Sequence, residues 1–212
     1  VKLGLVCGLA SEKKALGEAG RAARLSGAEA RRAETMARIL ADEGAEMLVS
    51  IGLAGALSPA LRPGDLVLPS AVIDEQGARL EAASLPDECQ SGDLLGADHI
   101  IDGPAAKSRL LSATGAVAVD MESHAVARVA AGRGIRFVII RAIADPATQA
   151  LPPTALGAVG PDGEVKTWTT VARLLRRPQD LPDLVRLGRQ AAQGLQTLRD
   201  RVPPILTRIE RL

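Results

Sequence analysis

Three acids stand where short apolar runs stop. Glu12 follows the run 3–7, Glu122 follows the run 116–119, and Asp145 follows the run 137–143. Continuous apolar runs of this length suit strands buried on both faces, and open α/β sheets bind ligands at the carboxyl ends of such strands. A carboxylate placed there accepts hydrogen bonds from neighbouring hydroxyls, as on a ribose, or exchanges a proton with a reacting group. A plainer reading also fits. Acids favour the first turn of a helix, which covers Glu12, Asp120 and Glu122, and an Asp before a Pro forms turns, which covers Asp145 and Pro146.

Two glycine segments accompany the acids. Gly8-Leu-Ala-Ser11 turns the chain after the first run, and Gly52-Leu-Ala-Gly55 follows the run 47–51. Glycines at a strand's end let backbone approach a ligand closely. Their spacing is not that of a dinucleotide fingerprint. Two histidines, His99 and His124, and two cysteines, Cys7 and Cys89, make a metal site unexpected. His124 is read as packing the start of its helix, with ordering of the Glu122 carboxylate as the alternative.

The elements that would carry these residues follow from apolar spacing. Strands are predicted over 3–7, 47–51, 66–73 with a bend or edge at Pro69, 116–119 and 137–143. Helices are predicted over 12–20, capped by Ser11, and over 28–43, 104–112, 123–131, 167–175 and 183–199. Ser26 and Gly27 close a second turn, residues 74–96 resist assignment, and 151–163 reads as a Pro- and Gly-rich loop. Alternating strands and helices give an α/β protein, read as one domain over 1–212.

Composition narrows the partners. Hydrophobic residues make up 47 % of the 212 and charged residues 24 %, as in ordinary globular proteins. With one Phe, one Trp and no Tyr the core must be aliphatic, and stacking on a base is scarce. A net charge of +1 gives no reason to expect nucleic acid. Two unpaired cysteines suggest a reducing compartment, hence the cytoplasm. Residues 3–10 are too short for a signal peptide and run straight into Glu12-Lys13-Lys14, and no apolar run is long enough to cross a bilayer.

Taken together, these segments resemble the purine nucleoside phosphorylase and methylthioadenosine nucleosidase superfamily. Ala118-Val-Asp-Met-Glu122-Ser resembles its ribose-binding Met-Glu motif, Ile51-Gly-Leu-Ala-Gly-Ala56 its glycine loop, Arg141-Ala-Ile-Ala-Asp145 the segment of its base-protonating Asp, and Gly8-Leu-Ala-Ser-Glu12 the turn whose acid activates water. The resemblance implies a three-layer α/β sandwich around a twisted mixed sheet, a homo-oligomer, and cleavage of a purine N-glycosidic bond without metal or organic cofactor. Glu12 and Asp145 would be catalytic, with Gly8, Ser26, Gly27, Gly52, Ala54, Gly55, Ile100, Ile101, Met121 and Glu122 binding substrate. One alternative is phosphorolysis, with phosphate near Gly8, Ser26-Gly27 and Gly52–Gly55 and charge from Arg31 or Arg32; another is a small-nucleoside nucleosidase of the methylthioadenosine or adenosylhomocysteine type. A non-catalytic nucleoside-binding module is the further rival.

Asp120-Met-Glu-Ser-His124, Leu57-Ser-Pro-Ala-Leu-Arg-Pro-Gly-Asp65, Ala144-Asp-Pro-Ala147 and Leu151-Pro-Pro153 resemble the hopanoid-associated branch, implicated in converting adenosylhopane to ribosylhopane. That resemblance implies an apolar channel from residues 151–159 and 168–175, and peripheral contact with the inner face of a membrane through arginines 173, 176 and 177. The sequence also departs from the family pattern. Ala144 replaces the Ser that usually orients the catalytic Asp, Ile100 replaces a Phe against the base, the stretch from Glu12 to Gly27 is short, and no Arg stands in the first turn.

Overall fold

The computed structural model describes residues 1–83, 85, 92–152 and 177–211. Its centre is a mixed sheet of nine strands, a mixed α/β architecture as the sequence predicts. The strands are β1 (Leu3–Cys7), β2 (Arg24–Leu25), β3 (Met47–Ala56), β4 (Leu66–Val67), β5 (Ala71–Asp74), β6 (Arg79–Glu81), β7 (Asp93–Gly96), β8 (Ala118–Asp120) and β9 (Arg136–Asp145). The helices are α1 (Ala10–Ala15), α2 (Ala30–Asp42), α3 (Pro104–Thr114), α4 (Ser123–Arg133) and α5 (Leu181–Glu210).

Strand β3 organises the sheet. Along one edge it pairs in parallel with β9, from Met47 opposite Arg136 to Gly55 opposite Asp145, with a bulge between Ala54 and Gly55. Its other edge is shared. Parallel β1 covers Met47 to Ile51, and antiparallel β8 covers Gly55 and Ala56. Because β1 and β8 run in opposite directions along this edge, their carboxyl ends face each other across Gly52-Leu53-Ala54. The acids that follow the two strands are thereby brought together.

Alternation within the strands feeds two core layers. Val6, Leu48 and Ile139 pack with Ala33, Ala37 and Leu40 of α2 and Val126 and Ala130 of α4. Leu5, Cys7, Val49, Ile51, Val138 and Ile140 pack on the other face with Leu198, Val202, Ile205 and Ile209 of α5. Helix α3 joins a smaller cluster through Leu110 and Leu111, against Leu57, Leu95 and Val119. Burial pushes the Cys7 thiol far above its usual range, so it serves as a small apolar core residue.

Several boundaries differ from expectation. The glycine segment 52–55 is strand, because β9 pairs with β3 along its whole length there. The run 66–73 divides into β4 and β5 on either side of Pro69, and the unassigned stretch yields β6 and β7. Helix α1 ends at Ala15 and is followed by a 3-10 turn at Ala19–Ala22. Ser11 does not cap α1: the Glu12 carboxylate takes the backbone N–H groups of Gly8 and Leu9 instead. Helix α5 continues through Pro203 and Pro204 to Glu210. Each proline removes a backbone donor, but the buried Val202, Ile205, Leu206 and Ile209 hold that turn against the sheet. The predicted helix 167–175 and most of the predicted loop 151–163 lie outside the described residues.

Candidate active site

Glu12 fills the gap between the ends of β1 and β8. Its Oε1 accepts the Leu53 N–H at 2.8 Å, and its Oε2 accepts Gly8 N–H at 2.9 Å and Leu9 N–H at 2.8 Å. Leu53 lies where β3 has neither β1 nor β8 beside it, so the carboxylate supplies an acceptor that the ladder does not. The side chain is buried, and desolvation raises its pKa although backbone donors and Arg141 act to lower it.

Glu122 enters from the other side, at the start of α4. Its Oε1 accepts the Ser26 hydroxyl at 2.9 Å, and its Oε2 lies 3.6 Å from the Arg141 guanidinium. Burial pushes its pKa up to about 8, opposed by Arg141 and assisted by Glu12 and Asp120. Gly8 lies so close that a Cβ there would collide with this carboxylate.

Asp120 and Glu122 have separate tasks. Asp120 accepts the Ser123 N–H at 3.1 Å and the Ser123 hydroxyl at 2.6 Å, which starts α4 as the plainer reading expects. It also accepts Arg141 Nε at 2.7 Å. Arg141 is fully buried, and its Nη2 donates to Ser50 at 2.6 Å and Ser123 at 2.9 Å. One guanidinium thus neutralises part of a cluster of three carboxylates in a dry setting, where charge of one sign is costly.

The glycines of β3 make room for the polar residues of β9. Gly52 pairs with Arg141 and Gly55 with Asp145. A Cβ on Gly52 would fall 2.7 Å from Arg141 Nη1, and one on Gly55 would fall 3.2 Å from Asp145 Oδ1. Asp145 ends β9, largely buried, and desolvation raises its pKa against the pull of Lys107. Lys107 Nζ forms an ion pair with Asp145 Oδ2 and donates to the Pro146 carbonyl at 2.9 Å.

A cavity of about 200 Å³ opens between these groups. Gly8, Glu12, Ala54, Gly55, Lys107, Met121, Glu122 and Asp145 line it, together with Leu9, Ile100, Ile101 and Leu151. Ala28 also lines it, with φ of 57°, a left-handed conformation unusual for a residue with a Cβ. Of the twelve site residues predicted from the sequence, nine line this cavity. Ser26, Gly27 and Gly52 stand behind the wall: Ser26 holds Glu122, Gly52 backs Glu12, and Gly27 N–H bonds the Gly8 carbonyl at 3.0 Å. Neither Arg31 nor Arg32 lines the cavity.

His124 does not order Glu122. Its ring is buried over Gly96, and its Nε2 lies 3.0 Å from Asp98 Oδ1, which anchors the loop carrying Ile100 and Ile101.

Sequence reasoning assigned no role to Arg141, Ser50, Ser123 or Lys107. An Arg inside the most apolar run was a usable signal, since a buried guanidinium must find partners. Lys107 gave none, because a Lys in a short mixed helix ordinarily faces water.

The phosphorylase superfamily model matches residues 25–90 and 78–173, well over half the chain. The chain belongs to the phosphorylase superfamily. It is an enzyme of glycosidic-bond cleavage. No curated protein matches it. Among solved structures, a Francisella philomiragia protein assigned as a 5′-methylthioadenosine/S-adenosylhomocysteine nucleosidase is 14 % identical, with 100 % of this chain and 99 % of that one covered and a TM-score of 0.72. Futalosine hydrolase of Helicobacter pylori is 16 % identical, covering 93 % and 95 %, with a TM-score of 0.65. A mutant nucleosidase of the same organism, solved with 5′-methylthioadenosine in its active site, is 15 % identical, covering 95 % and 97 %, with a TM-score of 0.63. At these identities the likeness establishes the fold.

Proposed function

We propose that this enzyme hydrolyses the bond between adenine and ribose in a nucleoside with an apolar 5′ group, converting adenosylhopane to ribosylhopane. Asp145 would protonate or hydrogen-bond N7 as the purine leaves with the bonding electrons. Met121 and Glu122 would hold the sugar, Glu122 accepting from the 2′ and 3′ hydroxyls. Glu12 would position and deprotonate the attacking water. Such acid–base roles contribute about 10²–10⁴-fold each.

One observation favours water over phosphate. The amides on which an anion would rest are already taken: Gly8, Leu9 and Leu53 donate to Glu12, while Ser26 and Gly27 donate to the carbonyls of Cys7 and Gly8. A phosphate would meet the Glu12 carboxylate where helix starts otherwise offer free donors. Acids at all three positions also favour catalysis over simple nucleoside binding.

The 5′ assignment rests on the hopanoid-like motifs and on the apolar part of the cavity wall. Leu9, Ile100, Ile101 and Leu151 offer that surface, and Leu151 N–H is tied to Asp102 at 2.9 Å. The rest of the proposed channel lies outside the described residues. Contact with a lipid-linked substrate would be peripheral, and among the described residues no helix is long and apolar enough to cross a membrane. A small-nucleoside nucleosidase is the second reading, favoured by the methylthioadenosine held by the similar H. pylori structure.

Product analysis tests the proposal. Free adenine should appear without phosphate, with ribosylhopane and no sugar 1-phosphate, and Glu12→Gln should abolish turnover while retaining binding. A strict phosphate requirement would overturn hydrolysis. Short-tailed adenosylhopane analogues should gain up to ~0.8 kcal/mol in binding per buried CH₂. A kcat/KM independent of tail length would leave the small-nucleoside reading.

A further inference from the structure

Among the described residues Lys107 is the lysine that the fold takes out of water, at 1 % exposed. A buried ammonium is costly unless its donors are matched. Here three acceptors meet three donors: Asp145 Oδ2, the Pro146 carbonyl at 2.9 Å and the Gln149 carbonyl at 3.3 Å. The last two belong to the turn after β9, which Gln190 of α5 steadies by donating to Gln149 Oε1 at 2.9 Å. Lys107 therefore fixes both the Asp145 side chain and the backbone that follows it. Position 144, next to Asp145, is Ala and offers no hydroxyl. The contact that orients Asp145 comes instead from α3, and Lys107 and Asp145 line the same cavity.

We propose that Lys107 is the positioning residue for Asp145 and holds the proton that Asp145 passes to the leaving purine. The inference rests on the N-glycosidase reading above. As the C1′–N9 bond breaks, its electron pair goes to the purine, N7 takes a proton from Asp145, and Asp145 draws one from Lys107 Nζ. Lys107 is left neutral and Asp145 ionised. Water forms the new C1′–O bond and gives its proton to Glu12, and transfer of that proton through solvent to Lys107 restores the enzyme. Lys107 is the charge that acts on Asp145; Glu12, Glu122, Asp120 and Arg141 form a separate cluster across the cavity, with His99 on its lining.

The test compares 5′-methylthioadenosine, whose base needs a proton to leave, with 4-nitrophenyl riboside, whose leaving group departs as a stable anion. Lys107→Met should lower kcat for methylthioadenosine by about 100-fold or more and for the nitrophenyl riboside by less than about 10-fold. Its alkaline limb for adenine release should move to lower pH, because Asp145 alone must then carry the proton. Lys107→Arg keeps the charge but does not release a proton, and should not restore kcat. Equal loss on both substrates, an unmoved pH profile, or full rescue by Arg would overturn the proposal. If the Met variant does not fold, Lys107→Gln decides, since its amide can still donate to Asp145 and the Pro146 carbonyl but cannot give up a proton: selective loss on methylthioadenosine is expected, and equal loss on both substrates would overturn the proposal. A wild-type enzyme inactive on both substrates would instead refute the N-glycosidase reading itself.

Discussion

Gly52 and Glu12 are neighbours across the end-to-end meeting of β1 and β8: a Cβ on Gly52 would fall 2.8 Å from Glu12 Oε1 and 2.9 Å from Oε2. The same atom would press on Arg141, directly opposite in the β3–β9 ladder. Gly52→Ala should therefore displace the carboxylate and the guanidinium together. The expected result is a fall in kcat of about 10²-fold, with a stability loss of roughly 1–3 kcal/mol from overpacking. Steady-state kinetics beside denaturant unfolding checks this, and unchanged kcat would show that Glu12 tolerates the shift.

Asp145 combines burial, an ion pair and a place on the cavity wall. Asp145→Asn keeps the shape and removes the acid, so kcat for an adenine nucleoside should fall by about 10²-fold or more, roughly 2.7 kcal/mol. Near-normal turnover by the Asn variant would remove Asp145 from the mechanism.

Glu122 should write its burial into the pH dependence of stability. Its folded-state pKa is raised from 4.5 to about 8, so folding takes up a proton between those values. That contribution is complete below about pH 4.5 and is lost as pH rises through about 8. Glu12 and Asp145 are shifted in the same direction. Tm of the ligand-free protein should fall between about pH 5 and about pH 9 by at least several degrees, since each kcal/mol moves a domain of this size by about 2–4 °C. Glu122→Gln should flatten the slope; a variant with the wild-type slope would assign it to other groups.

His124 tests whether an anchor can be separated from chemistry. Its ring packs over Gly96 and holds Asp98, while Ile100 and Ile101 of the same loop line the cavity. His124→Ala should cost about 2–4 kcal/mol of stability, as large-to-small changes in a core do. At a temperature where the variant is folded, KM should rise more than kcat falls. A large kcat loss with KM unchanged would give His124 a direct part in the reaction.

The sequence by itself determined the acids, the strands they follow and the glycines beside them. Continuous apolar runs mark buried strands and polar residues must end them, so Glu12, Glu122 and Asp145 were legible from local pattern alone. The strands 3–7 and 137–143 were legible for the same reason, and the helices 104–112 and 123–131 from residue spacing, with ends shifted by a few residues at most. What the tertiary structure decided were the pairings between distant segments. That Glu12 completes the hydrogen bonding of Leu53, that Ser26 holds Glu122 across 96 residues, and that Lys107 reaches Asp145 across 38 depend on β1 and β8 meeting along one edge of β3 and on α3 packing beside β8. Period and propensity describe a chain's neighbours in sequence. They carry no information about which strand will lie beside which, so the partners of a buried charge emerge only when the sheet is assembled.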